Sequence, residues 1–525
     1  MKCLLLLLCL FPTAVWAQYA TVPINPEERA WYENAMLRSD SAQHTGLLPW
    51  RQSEVQQYDR RSTLNWVDST GRSKLHQSLF YGHALKARGK DFWFTLNPAV
   101  DFSVGSDPLV DGTPYLNGRG VTFEAQLLDN WRIASTVVTT QARFPNHVQS
   151  FIRSNRVVPG WWLAKGRDYG WDVTYVAGEV AYTPNKVFHL YLGHGKHHIG
   201  EGYRSMFLSD VGMNYPFLRL ETTFWKFRYT NLWAVMNDIR PELQVDGVFA
   251  KKYMSLHMLS FQPTPRFNFS VIEGIMWGDE LRRYGFDVNF FNPVIFYRPI
   301  EFAQGFTGGN AMMGAQSSYR FRNGVMVYGQ FMFDEFTIST IRNWSEQDWR
   351  TMFSGQLGAK WGDAFGVPHL FLRAEFNVAR PYTYAHRKVL TNWAHYAQPL
   401  AHPWGSNFRE GLLHVRYRKD RFIVEGAYHL GVMGRDVDTV SYGNDLYKST
   451  DNRVGNTGIF IGQGERSNLN YWRINASYVI NPTYNLQVQV GYQQRTETAP
   501  DAGWPDSRAF MVSLRSNVYR VYQDF

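Results

Sequence analysis

Cysteine is nearly absent from this 525-residue chain: Cys3 and Cys9 are the two it has. Both fall in residues 1–17, which read as a secretory leader. Lys2 is the positive start, Leu4 to Leu8 the apolar core, and Val15-Trp16-Ala17 a cleavage site before Gln18. Cys9 follows Leu6-Leu7-Leu8 without the small residue of a lipoprotein box, so a lipid anchor is not expected. The rest of the chain has no thiol for a disulfide framework, a thiolate metal site or a cysteine nucleophile. Long hydrophobic runs are missing too. Beyond the leader no stretch of 18 or more apolar residues occurs, which excludes a membrane-spanning helix. The net charge of +9 is scattered through strand-like segments rather than gathered in a tail or helix. That scatter, together with export, argues against nucleic acid as a partner.

Aromatic residues, by contrast, are abundant: 19 Trp, 30 Tyr and 36 Phe. Many stand in period-two alternation, which puts successive side chains on opposite faces of a strand. From Trp472 to Tyr492 the pattern is nearly free of error. Trp472, Ile474, Ala476, Tyr478 and Ile480 share one parity against Arg473, Asn475 and Ser477. After Asn481-Pro482-Thr483 reverses the chain, Tyr484, Leu486, Val488, Val490 and Tyr492 stand against Asn485, Gln487, Gln489 and Gln493. One apolar face ending in aromatics and one polar face describe a strand with lipid outside and a wet lumen inside. Six more turns are flanked by such runs: Leu128–Asn130, Thr183–Lys186, Gln262–Pro265, Asn323-Gly324, Asp363–Pro368 and Lys419-Asp420. Of these, Asn-Gly is the strongest two-residue hairpin signal.

Further strands are expected at Phe92–Val104, Thr222–Met236, Val288–Phe296 and Phe510–Tyr522, although the last changes parity near Tyr519. Long segments such as Arg143–Trp171, Thr337–Thr351 and Val432–Asn470 alternate with the tight turns, as extracellular loops alternate with periplasmic turns. The chain therefore reads as all-β: a transmembrane antiparallel outer-membrane β-barrel of about 16 to 18 strands at residues 76–525. Residues 18–75 read as a small N-terminal helical and irregular periplasmic segment. Asn25 is the cap candidate there, with Pro26 in the first turn and Glu27 and Glu28 where the helix dipole favours acid. An appendage below the barrel is the favoured placement of this segment, over a plug within it.

Little in the sequence carries catalytic chemistry. No HExxH, P-loop, GxSxG or CxxC pattern occurs, so no enzyme, cofactor or metal site is expected. Three histidines in Gly193-His194-Gly195-Lys196-His197-His198 could face a divalent ion. However, His194 and His197 differ in parity and no acidic cluster lies nearby, which favours a structural role. The glycines at 193, 195, 200 and 202 point to a tightly folded loop, either with Lys196 and Arg204 as anion contacts or as a structural rim motif that closes the barrel. On the lumen parity, His414, Arg416, Arg418, Glu425 and His429, with Arg373, Glu375 and Asn377, either offer charge to an anionic solute or pair among themselves, and pairing is favoured. Trp161, Trp162, Trp344, Trp349, Trp393 and Trp404 fall in expected loops, where an indole can stack on a sugar or pack the loop. The candidate contacts for an anionic polysaccharide are thus Lys196, Arg204, Arg416, Arg418, Trp161, Trp162, Trp393 and Trp404.

The segment Gly193–Asp210, continued by Asn214-Tyr215-Pro216-Phe217-Leu218-Arg219, resembles a block in outer-membrane proteins related to the gliding-motility protein RemB of Bacteroidetes. The strings Asn292–Glu301, Gly329–Phe336, Ala379–His386 and His395–His402 continue the likeness, and the capsule-assembly Wzi barrels resemble it more distantly. The resemblance implies a non-enzymatic barrel in the outer membrane of a Gram-negative bacterium, with a periplasmic helical element. Its implied role is in capsule or exopolysaccharide attachment or assembly, in gliding, or in both. Its expected partners are outer-membrane lipid and lipopolysaccharide, a surface polysaccharide, and periplasmic or motility proteins, with the chain itself a monomer. A passive porin-like solute channel is the alternative. A barrel-embedded hydrolase is the third reading and would need a His–Asp or Ser–His pair at the rim.

Overall fold

The computed structural model describes residues 21–61, 64, 72–167, 169–278, 285–293, 296–297, 299–300, 309–335, 347–499 and 503–525. The expected leader and Trp344 lie outside them. Eighteen antiparallel strands close into a barrel. In chain order they are β1 Phe92–Ser106, β2 Tyr115–Leu127, β3 Trp131–Arg143, β4 Gly170–Tyr182, β5 Phe188–Gly195 and β6 Tyr215–Phe224. Next come β7 Phe227–Asp238, β8 Ala250–Thr264, β9 Phe267–Gly278, β10 Asn310–Arg320, β11 Val325–Glu335 and β12 Met352–Gly362. The last are β13 Leu370–Ala379, β14 Phe408–Lys419, β15 Phe422–Arg435, β16 Glu465–Asn481, β17 Leu486–Glu497 and β18 Ser507–Arg515. Pairing of Phe510–Arg515 with Asp101–Ser106 closes the ring.

Alternation becomes sidedness in the expected way. On β16 and β17, Trp472, Ile474, Tyr478, Val488 and Val490 are exposed on the outer wall, while Asn475, Ser477, Gln487, Gln489 and Gln493 are buried inside. Ring pairs collect near the tight turns, among them Trp131–Tyr182 at 4.4 Å and Phe227–Phe261 at 4.5 Å. They form the lower aromatic girdle of a membrane-spanning barrel. A continuous apolar outer surface of this extent is stable only in lipid. The protein is an outer-membrane β-barrel.

Three expected strands are built differently. Thr222–Met236 is the β6–β7 hairpin, because the chain turns at Trp225, which takes a positive φ of 50°. The described part of Val288–Phe296 holds no strand, residues 294–295 lying outside the described residues: Val288–Phe291 forms a short 3₁₀ turn, with Phe290 packed on Trp277 at 4.6 Å. This segment lies against the outer wall of β7–β9 and covers polar side chains there. Trp233 Nε1 and Ser255 Oγ donate to Phe290 O at 3.3 and 2.7 Å, and Asn231 Nδ2 donates to Pro293 O at 3.2 Å. Tyr297 N donates to Glu273 Oε1 at 2.6 Å. Irregular backbone beside lipid must have its polar groups satisfied, and these outward polar residues do so. The third is Phe510–Tyr522. Its strand ends at Arg515, and Ser516 to Phe525 turns into the lumen, which explains the parity change at Tyr519.

Helix α1, Pro26–Leu37, forms as its sequence dictates: Asn25 accepts from Glu27 N at 3.1 Å, Pro26 opens it, and Glu27 and Glu28 lie in the first turn. Its placement differs from the favoured appendage. Trp31 Nε1 donates to Asn485 at 2.7 Å and Asn34 to Asp363 at 2.7 Å, while Arg320 Nη1 donates to Met36 O at 2.7 Å. These partners sit at the tight-turn end of the inner wall, so α1 is a plug in the periplasmic mouth. The helix buries Trp31, Tyr32, Met36 and Leu37, apolar surface that an appendage would leave in water.

Glu33 is the charged anchor of α1, with Arg373 Nη2 at 3.0 Å and Arg416 Nη2 at 3.5 Å. Burial works to raise its carboxyl, but Arg373, Arg29 and Arg416 outweigh it and hold Glu33 well below the ordinary glutamate value of 4.5. A carboxyl depressed in this way stabilises the docked helix above that value and stops doing so as pH falls through it and below. The protection factors of the α1 amides, which refer each exchange rate to the intrinsic rate at the same pH, are therefore expected to be lower at about pH 3.5 than at about pH 6. In a Glu33→Gln variant most of that difference should disappear.

Candidate functional site

The centre of the lumen is built by a loop that leaves the wall early. β5 is short, and Gly195 pairs with Tyr215 of β6 while His194 lies level with Gly178 of β4. Residues 196–214 therefore start at mid-height and fold inward, and nearly all of them are buried. Gly200 permits the turn: its φ is 130°, and a Cβ there would stand 2.5 Å from Gln330 Nε2. Ser205 Oγ donates to Ile199 O at 2.5 Å, and Gln330 Oε1 accepts from Met206 N at 2.8 Å, tying the loop to β11.

Arg204 sits at the heart of this fold and is 1% exposed. Its Nη2 donates to Glu410 Oε1 and to the Asp524 carbonyl, both at 2.8 Å, and its Nη1 lies 3.4 Å from the Asp524 carboxylate. Glu410 also accepts from His402 Nε2 at 2.7 Å. Glu375 accepts from Arg204 N at 3.1 Å and Tyr203 N at 2.8 Å. Tyr203 OH closes the circuit on Asp524 at 2.7 Å. Loop, tail, β13 and β14 are thus joined through one buried cation whose carboxylate partners surround it.

A second junction surrounds Asp210, which accepts from Tyr519 OH at 2.7 Å and Tyr522 OH at 2.9 Å and faces His198 Nδ1 at 3.3 Å. Lys196 Nζ donates to Gly160 O and, at 3.1 Å, to Asp210 O, and lies 4.0 Å from the Tyr519 ring centre. Burial pushes the Lys196 ammonium down to about 7, with Asp210 opposing. Lys196 and Arg204 are therefore clamps between the loop and the tail, with their charges turned inward.

The other expected contacts divide by location. Trp161, Trp393 and Trp404 are buried; Trp393 Nε1 donates to Phe207 O at 2.6 Å, and Trp404 packs over Gly431, where a Cβ would meet it at 2.4 Å. Such side chains present no free face to a sugar and instead pack the loops. Trp162 is half-buried beside His194 at 5.5 Å. Arg416 and Arg418 lie in the periplasmic mouth, Arg418 over Trp31 at 4.7 Å. On the loop side of the barrel, Trp349 is half-buried and carries Arg453 at 4.3 Å over its ring.

Among the described residues, no group of three or more His, Asp, Glu or Cys is placed to hold a metal ion. The His198–Asp210 pair is buried and already engaged by tyrosines. A Ser–His contact, Ser260 Oγ to His44 Nδ1 at 2.9 Å, has its serine buried and bonded to Asn268 at 2.9 Å. Sequence reasoning did not find Glu410, His402 or Asp524, because nothing local relates residues brought together by a closed sheet. The parity change at Tyr519 was the one available signal.

These features define an outer-membrane barrel with a folded polar interior. No protein-family model matches the chain, and no curated protein matches it. Among solved structures it is similar to Wzi, an outer-membrane protein involved in group 1 capsule assembly in Escherichia coli, described as a carbohydrate-binding β-barrel. That match has 12% identity, covers 94% of this chain and 99% of the other, and has a TM-score of 0.56. OprD from Pseudomonas aeruginosa aligns at 12% identity over 81% of this chain and 96% of its own, with a TM-score of 0.43. At such identities the likeness is one of fold. The gliding-type resemblance rests on the sequence strings alone.

Proposed function

We propose that this chain is a non-enzymatic barrel acting at the cell surface, in the attachment or assembly of a capsular or secreted polysaccharide. The observation that carries this reading is the interior. Loop 196–214, the C-terminal tail and α1 fill the lumen around buried ion pairs, whereas a diffusion porin is organised around a water-filled channel. The shared fold with a capsule-assembly barrel supports it. On the loop side, Trp349 with Arg453, exposed Tyr169 and exposed Arg387 offer aromatic and cationic contacts to a polymer.

Deleting the gene and measuring how surface polysaccharide divides between cells and medium tests the proposal. Intact polymer is expected to move into the medium. An unchanged division, combined with steady open-channel conductance of the purified protein in planar bilayers, would replace attachment with solute passage. An unchanged division combined with lost surface movement would favour the gliding role.

A further inference from the structure

Between the inner wall of β1–β4 and the lumen filling lies a cavity of about 940 Å³, near the top of the roughly 300–1,000 Å³ range of ligand sites. Trp93, Gln126 and Asp129 line it at the tight-turn end, and Lys196 and Tyr519 line it at mid-height. It therefore occupies the periplasmic half of the lumen, on the other side of loop 196–214 from the extracellular loops.

Its wall holds a charged group whose hydrogen-bonding capacity is largely unused. Arg132 is 5% exposed. Its Nη2 makes one long contact to Gln52 Oε1 at 3.4 Å and lies 3.7 Å from Glu124. Its Nε and Nη1 have no hydrogen-bond partner among the described residues, nor does the hydroxyl of Thr95, which is 3% exposed. A guanidinium out of water with idle N–H groups is costly unless an acceptor arrives. Arg132 also lies over the Trp93 indole, 4.6 Å from the ring centre, and Trp93 Nε1 donates to Gln126 Oε1 at 3.1 Å. The short strand Leu85–Arg88 pairs with β1 and places Lys86 and Arg88 on the same lining.

The acidic members of the lining limit the charge of a ligand. Glu28 is held by Arg61 at 2.6 Å and Glu179 by Thr21, while Glu124 and Asp129 face the same space. Two carboxylates beside the basic wall favour a singly charged anion over a dianionic phosphate. An indole beside amides and a guanidinium suits a sugar ring: its apolar face meets the aromatic and its polar edge meets Gln52, Gln126 and Asn97.

We propose that this cavity is a binding site for a carboxylate-bearing pyranose, a uronic-acid unit of a glycan presented from the periplasmic side. Arg132 receives the carboxylate and Trp93 the ring face. The choice of a sugar rests on the polysaccharide reading above; the need for an anion stands on Arg132 itself.

The test uses the full chain purified in detergent micelles. A hexasaccharide of alternating glucuronate and N-acetylglucosamine is titrated by calorimetry and by tryptophan fluorescence, with maltohexaose as the neutral control. The acidic hexamer is expected to bind. Arg132→Gln should weaken it about tenfold or more while leaving the heat-modifiable gel mobility of the folded barrel intact. Trp93→Leu should weaken it with the same mobility preserved, which keeps the result readable if either variant folds poorly. No binding of the acidic hexamer, equal binding by Arg132→Gln, or equal binding of maltohexaose would overturn the proposal. Displacement by inorganic phosphate as effective as by free glucuronate would overturn the carboxylate assignment. Polymer release on gene deletion without hexamer binding would leave the surface role standing and remove this site; hexamer binding without release would do the reverse.

Discussion

Arg204→Ala is expected to loosen the lumen filling and to give the purified barrel conductance steps in planar bilayers that the parent lacks. The substitution removes the guanidinium shared by Glu410 and the Asp524 carboxylate and leaves both acids buried. Breaking a buried pair by deleting one partner costs about 3–5 kcal/mol, because the remaining charge has no water to return to. Here the cost falls on loop 196–214 and the tail, which Arg204 joins to β13 and β14, rather than on the eighteen-stranded ladder. Local opening is the cheaper response. Arg204→Lys retains the charge without the planar fork that spans Glu410 and Asp524, so an intermediate effect is expected. Closed bilayers and parental protease resistance in Arg204→Ala would show that the network does not hold the filling in place.

Trp393→Ala tests the same region through packing. Trp393 is 1% exposed and its indole N–H is satisfied by Phe207 O. Its ring edge approaches β9 so closely that a Cβ at Gly274 would stand 3.0 Å from Cη2. Truncating a buried tryptophan costs about 3–5 kcal/mol, part of it from the cavity left behind. Phe207 belongs to loop 196–214 and Trp393 to residues 380–407, so the loss should uncouple two inward-folded segments. The expected result is protease cleavage within residues 380–407 while the barrel keeps its heat-modifiable mobility. Cleavage elsewhere, or none, would place the tryptophan outside the contacts that fix the filling.

The wall was legible because its signal is local. Val488, Gln489 and Val490 declare which face meets lipid without reference to any distant residue, and most of the tight turns carry their own Gly, Pro, Asn or Asp. Even so, the expected Thr222–Met236 strand proved to be two, because Trp225-Lys226 carries no common turn residue. Phe290 to Pro293 lies against the outside of the wall rather than in it, because Asn231, Trp233 and Ser255 on its neighbours face outward and require polar partners beside lipid. The site was less legible. Lys196 and Arg204 were recognised as charged residues in a glycine-rich loop, which they are, but their neighbours could not be read.

An antiparallel outer-membrane barrel with α1 ahead of it follows from local signals in the chain, since period-two patterning, turn chemistry and helix capping act over a few residues. That α1 and the tail enter the lumen, that Arg204 is enclosed by Glu410 and Asp524, and that Arg132 lines a cavity with N–H groups unpaired among the described residues are properties of the closed fold. Those outcomes follow from closing the ring: closure brings residues as far apart as Lys196 and Tyr519 into one desolvated space, where each charge must find its partner across the lumen rather than along the chain.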